Sequence, residues 1–320
     1  VFKLISCKKS MMKKLVILLF AVILISCEKE ETELSVKLSI ENELGVVTSK
    51  SPLGGEALFF QNIRYGNETR NILDILVPQE GELKGVVLFF HGGGFVSGDK
   101  EDAYGDLLKA TLNSLLENKI AVVSANYTFI NTPGNNGVIS ALEDGTAAIN
   151  FIKSQLNTLK IPTNKIVLAG VSAGAGIAQW NGFQKSSNAQ VQGVMAIAAQ
   201  STYDLYEWEN VFPGFSLDDL REMSPVLQTL FSQFYNGEPT EENLDAVDYR
   251  DFMDATDPPL YVFNQAGDDL INSQGQLDFD VLYHSYRHSD YIRSKAIEVG
   301  LPFSGIYAEN LEEFVIRVLK

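Results

Sequence analysis

Histidine and cysteine are the scarce residues of this 320-residue chain, with three of the first and two of the second. Both cysteines, Cys7 and Cys27, lie near the N-terminus, so the rest of the chain has no disulfide framework and no thiolate metal site. Any chemistry that needs an imidazole must draw on His91, His284 or His288. Long apolar runs are missing as well. Leu15 to Ile25 falls far short of the ~20 residues that cross a bilayer as a helix. Basic residues are few, 25 Lys and Arg against 41 Asp and Glu, and five of those lysines precede Cys27. Such an acidic balance argues against nucleic acid or anionic lipid as a partner, and it reads as spread, solvated charge.

Lys13 and Lys14 lead into the short apolar run, which ends at Leu24-Ile25-Ser26-Cys27. A charged region followed by such a run reads as a signal peptide over residues 1–26, with translation starting at Met11 or Met12. Its end looks like a bacterial lipobox, which implies a lipidated Cys27 as the mature N-terminus. The alternative is an ordinary cleaved leader with an incidental cysteine. Glu28-Lys29-Glu30-Glu31 resembles a lysine-plus-acidic export signal, which implies an outer-membrane lipoprotein facing outward. The anchor would be the chain's one attachment to membrane. Residues 27–52 are polar without a sustained period and read as a tether, and residues 53–320 as one large domain without internal repeats.

Within that domain Ala57 to Tyr65 and Asn71 to Val77 alternate as a hairpin around Gly66-Asn67, and Gly85 to Phe90 reads as a buried strand. The period then changes. Helices are expected over Asp102 to Asn118 and Ile139 to Leu159, with strands at Ile120 to Asn126, Lys165 to Val171 and Val191 to Ala199. Later come a strand from Leu260, a helix from about Ser289 to Val299 and a last strand over Pro302 to Tyr307. This alternation predicts an α/β fold, a mostly parallel central sheet covered by helices on both faces, with ligands at the C-terminal strand ends.

The strand ending at Val171 runs into Gly170-Val171-Ser172-Ala173-Gly174, a Gly-x-Ser-x-Gly turn followed by small residues. A sharp strand-to-helix turn lifts a serine hydroxyl clear of its backbone, and the strain needs glycines on either side. Upstream, the buried strand Gly85–Phe90 ends in His91-Gly92-Gly93-Gly94. Successive glycines let a backbone bend until its N–H groups face a pocket, as a tetrahedral oxyanion requires. Together the two motifs resemble those of the α/β-hydrolases, in the hormone-sensitive-lipase-like and carboxylesterase branch. The resemblance runs from about Phe59 to Leu319. It implies an α/β-hydrolase fold with Ser172 as nucleophile, Gly93, Gly94 and Ala173 as oxyanion donors, and His91 as a brace of the glycine loop.

From 202 to about 256 the alternation gives way to acidic, aromatic, helix-forming sequence, where the resembled family carries a small helical cap. Tyr203, Tyr206, Trp208, Phe212 and Phe215 are expected to pack that cap onto the core more than to line a pocket. After the next strand, Asp268 falls where the family places its triad acid, with Asp269 as the fallback. The family's histidine position, after the last strand, is empty: the loop reads Ala308-Glu309-Asn310-Leu311. His284 or His288, in a long insertion after Asp268, is then the candidate base, and at the start of a helix its protonated form would be disfavoured. The resulting expectation is a serine esterase of the cell envelope, without metal or cofactor, acting on a small-molecule or carbohydrate ester. The alternative is an α/β-hydrolase scaffold that has lost its base and binds a ligand or partner.

Overall fold

The computed structural model describes residues 36–55 and 57–320. The expected leader, the expected lipidation site Cys27 and the first part of the expected tether lie outside the described residues. The later part of the expected tether is tied to the domain. Residues 36–44 form helix α1, and Val36, Ile40 and Leu44, spaced four apart, make one apolar stripe against the core, with Ile40 fully buried. Ser49 N–H then donates to the Phe59 carbonyl at 2.7 Å.

Eight strands make one sheet in the order β1-β2-β4-β3-β5-β6-β7-β8. They are β1 Ala57–Arg64, β2 Ile72–Pro78, β3 Gly85–Phe90, β4 Ile120–Ala125, β5 Ile166–Val171, β6 Val191–Ile197, β7 Leu260–Phe263 and β8 Phe303–Gly305. The β1–β2 hairpin and the β2–β4 pair are antiparallel, and every pair from β4 to β8 is parallel. β3 and β4 are buried throughout, hence their unbroken apolar sequence. Alternate side chains feed two cores. Val86, Leu88 and Phe90 face α3 (Val138–Gln155) and α4 (Ala173–Phe183). Val87 and Phe89 face α2 (Asp106–Glu117) and α11 (Leu311–Val318). The helix expected over Asp102 to Asn118 is broken at Gly105 into a 3₁₀ turn, Lys100–Tyr104, and α2.

Between β6 and β7 the chain leaves the sheet for a cap of short helices, α5 Trp208–Val211, α6 Leu217–Glu222, α7 Pro225–Tyr235 and α8 Glu241–Val247. Ser216, Ser224 and Thr240 each cap the helix that follows. Between β7 and β8 lie α9 Phe279–His284 and α10 Tyr286–Val299.

Register brings the functional loops together. Phe90 pairs with Ala125 on one side and Gly170 on the other, so the glycine loop after β3 lies beside the turn after β5. Behind the glycine loop, the buried Lys100 ammonium sits 3.2 Å from the buried Asp74 carboxylate of β2. Burial pushes that carboxyl above its usual range, opposed by the Asn62 N–H and by Lys100. The Lys100 backbone is also fixed, its N–H donating to Asn126 Oδ1 at 2.6 Å and its carbonyl accepting from Ser124 at 2.7 Å. Removing one partner of a buried pair strands the other charge, so Lys100→Met should cost about 3–5 kcal/mol of stability by urea denaturation. A loss under about 1 kcal/mol would show that water relieves Asp74.

Candidate active site

Ser172 sits between β5 and α4 with φ 51° and ψ −117°, a sparsely populated positive-φ conformation that costs a non-glycine residue about 1–3 kcal/mol. Its N–H is tied to the Ile197 carbonyl at the end of β6, at 2.8 Å. The flanking glycines answer to backbone. A Cβ on Gly174 would fall on the Phe90 carbonyl oxygen, and one on Gly170 on the Gly174 carbonyl oxygen. Only glycine lets the turn press so closely on the end of β3.

The glycine loop is held from behind by a buried imidazole. His91 Nδ1 lies 2.6 Å from the Gly92 carbonyl, which only accepts, and Nε2 lies 3.3 Å from the Arg70 guanidinium, which only donates. These contacts fix a neutral ring with its proton on Nδ1, and burial lowers its pKa. The ring stacks on Tyr127 at 4.4 Å between centroids, and the Tyr127 hydroxyl donates to the His91 carbonyl at 2.9 Å. Gly93 and Gly94 take φ values of 106° and 60°. Both line one cavity with Gly92, Ser172 and Ala173.

His284 reaches Ser172. Its Nε2 lies 3.0 Å from Ser172 Oγ, and its Nδ1 lies 2.7 Å from Asp280 Oδ1. A carboxylate accepts, so Nδ1 carries the proton and the Nε2 lone pair faces the serine hydroxyl. Asp280 and His284 stand four apart on α9 and share one face. His284 ends this helix, so the helix-end partial charge near it is negative, opposite to that expected at a helix start.

The other expected partners lie elsewhere. Asp268 accepts from the Tyr286 hydroxyl at 2.9 Å and from Arg287 at 3.0 Å, and these contacts, the tyrosine bond foremost, lower its pKa. It braces the first turn of α10, and Asp269 is exposed. His288 is fully buried. Its Nε2–H donates to the Leu282 carbonyl at 2.9 Å, and its Nδ1 accepts from the Ser201 hydroxyl at 3.0 Å. Both nitrogens are occupied, and burial lowers the pKa to about 4. Although the two histidines stand only four apart, Ser285 with ψ 147° turns the chain between α9 and α10 and sends the rings different ways. The pairing of Asp280 with His284 was missed because the acid was sought in the turn directly after β7, at Asp268 or Asp269. The available signal was the i, i+4 spacing itself.

The cavity holds about 560 Å³ and is chiefly apolar, with Ile130, Trp208, Leu227, Phe231, Phe234 and Tyr283 among its walls. Most of these come from the cap. Of the cap aromatics, Tyr203 and Trp208 line the cavity and also bond to backbone, at the Ala173 and Thr202 carbonyls. Phe212 packs on His288, and the Tyr206 hydroxyl accepts from Arg221. Among the described residues no group of three His, Cys, Asp or Glu side chains is arranged to hold a metal. No described helix is long and apolar enough to cross a membrane.

Over 110 residues the chain is 37% identical to the gibberellin receptor GID1A of Arabidopsis thaliana, covering 34% of this chain and 30% of the receptor. Over 120 residues it is 37% identical to the isoprenylcysteine alpha-carbonyl methylesterase ICME of the same plant, covering 37% of this chain and 26% of that enzyme. The chain thus spans less than a third of the length of either relative. Among solved structures, a truncated carbohydrate esterase from gut microbiota superposes with a TM-score of 0.58 at 14% identity, covering 82% of this chain and 96% of that one. Esterase B of Lactobacillus rhamnosis does so with a TM-score of 0.57 at 12% identity, covering 81% and 79%. At such identities the likeness establishes the α/β-hydrolase fold. Residues 73–281, more than half of the chain, match the BD-FAE family model, and the chain belongs to that family of α/β-hydrolase carboxylesterases.

Proposed function

We propose that the chain is a serine ester hydrolase with Ser172 as nucleophile, His284 as general base and Asp280 as the acid that orients it. The observation that carries this reading is the imidazole contact: Nε2 at 3.0 Å from the serine hydroxyl and Nδ1 at 2.7 Å from a carboxylate. Similarity alone does not choose between catalysis and binding, since one matched relative is a receptor and another a methylesterase. The binding reading drew its support from an empty histidine position. A histidine within hydrogen-bond reach of Ser172 removes that support.

The reaction follows from the contacts. Ser172 Oγ attacks the ester carbonyl carbon while its proton passes to His284 Nε2. The carbonyl oxygen becomes an oxyanion, for which the N–H groups of Gly93, Gly94 and Ala173 are the proposed donors. The imidazolium returns its proton to the departing alkoxide, leaving an acyl-Ser172. Water, deprotonated by the same imidazole, then releases the carboxylic acid and regenerates Ser172. The apolar cavity suits a small-molecule or carbohydrate ester with an apolar part in its acyl or alcohol portion. No cofactor enters these steps.

A fluorophosphonate probe should label the folded domain at Ser172, and Ser172→Ala should abolish the label. His284→Ala should lower turnover of a short-chain aryl ester by roughly 10²–10⁴-fold. Asp280→Ala should cost less, because its side chain is 75% exposed and water can take over part of its role. Asp268→Asn should behave like wild type. Unchanged turnover in His284→Ala, or a large loss in Asp268→Asn, would overturn the assignment.

We also propose that the enzyme is an outer-membrane lipoprotein held through Cys27, a reading supported by the lysines, the short apolar run and the lipobox-like sequence before that residue. Cys27→Ser should release the protein from the membrane fraction or stall its processing. A fully processed variant that stays in the membrane fraction would rule the anchor out.

A further inference from the structure

Helix α9, which carries His284, spans six residues. A helix so short does not hold itself in water, and its last carbonyls have no partners within it. The structure shows what holds them. Ser285 N–H closes onto the Val281 carbonyl at 3.0 Å. His288 Nε2–H donates to the Leu282 carbonyl at 2.9 Å. Gln200 Nε2 donates to the Tyr283 carbonyl at 2.8 Å, and Asn264 Nδ2 to the Ser285 carbonyl at 2.9 Å. Three side chains from neighbouring segments thus grip the backbone on either side of His284.

Gln200 differs from the other two in what fixes it. It is 5% exposed and stands three residues beyond Ile197. Its own carbonyl accepts from the buried Tyr249 hydroxyl at 2.7 Å and from Gln179 at 3.1 Å. Ile197 is the residue whose carbonyl ties the Ser172 N–H. One strand end therefore references both reacting groups: Ser172 through the Ile197 carbonyl, and His284 through the Gln200 amide.

We propose that Gln200 is a positioning residue that sets the Ser172–His284 distance by holding the Tyr283 carbonyl to the end of β6. This rests on His284 being the base. Without the donor, the end of α9 keeps its grips at Leu282 and Ser285 but loses the direct tie at Tyr283, next to His284, and the imidazole shifts relative to the serine. A displacement of about 1 Å in a reacting pair is enough to cost up to 10²-fold in rate.

Gln200 also lines the cavity, so its effect through His284 must be separated from direct contact with substrate. Ester hydrolysis would be measured for Gln200→Met, which keeps the length and removes the donor, and for Gln200→Asn, which keeps the amide but shortens its reach. Each would also be made with and without His284→Ala. The expected result is a 10- to 100-fold lower kcat for Gln200→Met with KM little changed, and a smaller loss for Gln200→Asn. In the His284→Ala background the Gln200→Met penalty should vanish, because a residue acting only through the imidazole has nothing left to position. A penalty that persists there, or that falls on KM, would overturn the proposal and make Gln200 a substrate contact or a packing residue. Should Gln200→Met fail to fold, Gln200→Asn alone carries the same cycle. If His284→Ala itself keeps the wild-type rate, the base assignment fails, a different outcome from failure of the Gln200 role.

Discussion

A serine hydroxyl becomes a good nucleophile when a general base is held within hydrogen-bond distance of it, and here Ser172 Oγ lies 3.0 Å from an imidazole nitrogen 112 residues away in sequence. Most of the local architecture answers to this one contact. Ser172 is pushed outward by a backbone conformation that glycines on either side make possible. The opposing imidazole comes from the end of a six-residue helix with little stability of its own. Neither group is fixed by its own element. The sheet supplies the common frame, through the parallel register that aligns the ends of β3, β5 and β6.

The same principle explains the histidines that do not face the serine. His91 and His288 are both fully buried, and each has its two nitrogens engaged, one as donor to a backbone carbonyl and one as acceptor. A buried neutral imidazole is well suited to this work, since it can satisfy a carbonyl and a donor at once without bringing charge into the core. His91 stiffens the loop proposed to bind the oxyanion, and His288 stiffens the helix bearing the proposed base. The chain's few imidazoles are therefore all committed to one neighbourhood, in three different roles.

Much of this was legible in the sequence. The unbroken apolar run Gly85–Phe90, the Gly-x-Ser-x-Gly turn and the alternation after it gave the strand, the elbow and the parallel sheet, because central parallel strands are buried on both faces and must be apolar throughout. The cap was legible as an interruption of that pattern. Other features depended on contacts that have no period. Val36, Ile40 and Leu44 make a stripe too short to stand out from a polar stretch. Gly105 ends one helical turn and begins the next, where a single helix had been expected. Which of His284 and His288 faces the serine turns on Ser285, a residue whose ordinary capping chemistry gives no warning that it redirects the chain.

The place of the proposed acid, Asp280, has a physical logic. In the arrangement expected from the family, acid and histidine sit on separate loops, and each loop must be ordered independently. With Asp280 one turn ahead of His284 on α9, a single helix presents both, and their mutual geometry follows from the 3.6-residue repeat. The helix then has to be held as a unit, and the grip falls on its C-terminal carbonyls, where unpaired acceptors already exist. Gln200, His288 and Asn264 meet that need from the ends of the neighbouring elements. A long insertion between β7 and β8 can thus carry the proposed base and acid together, held by Gln200 and Asn264 from just beyond β6 and β7 and by His288 of α10.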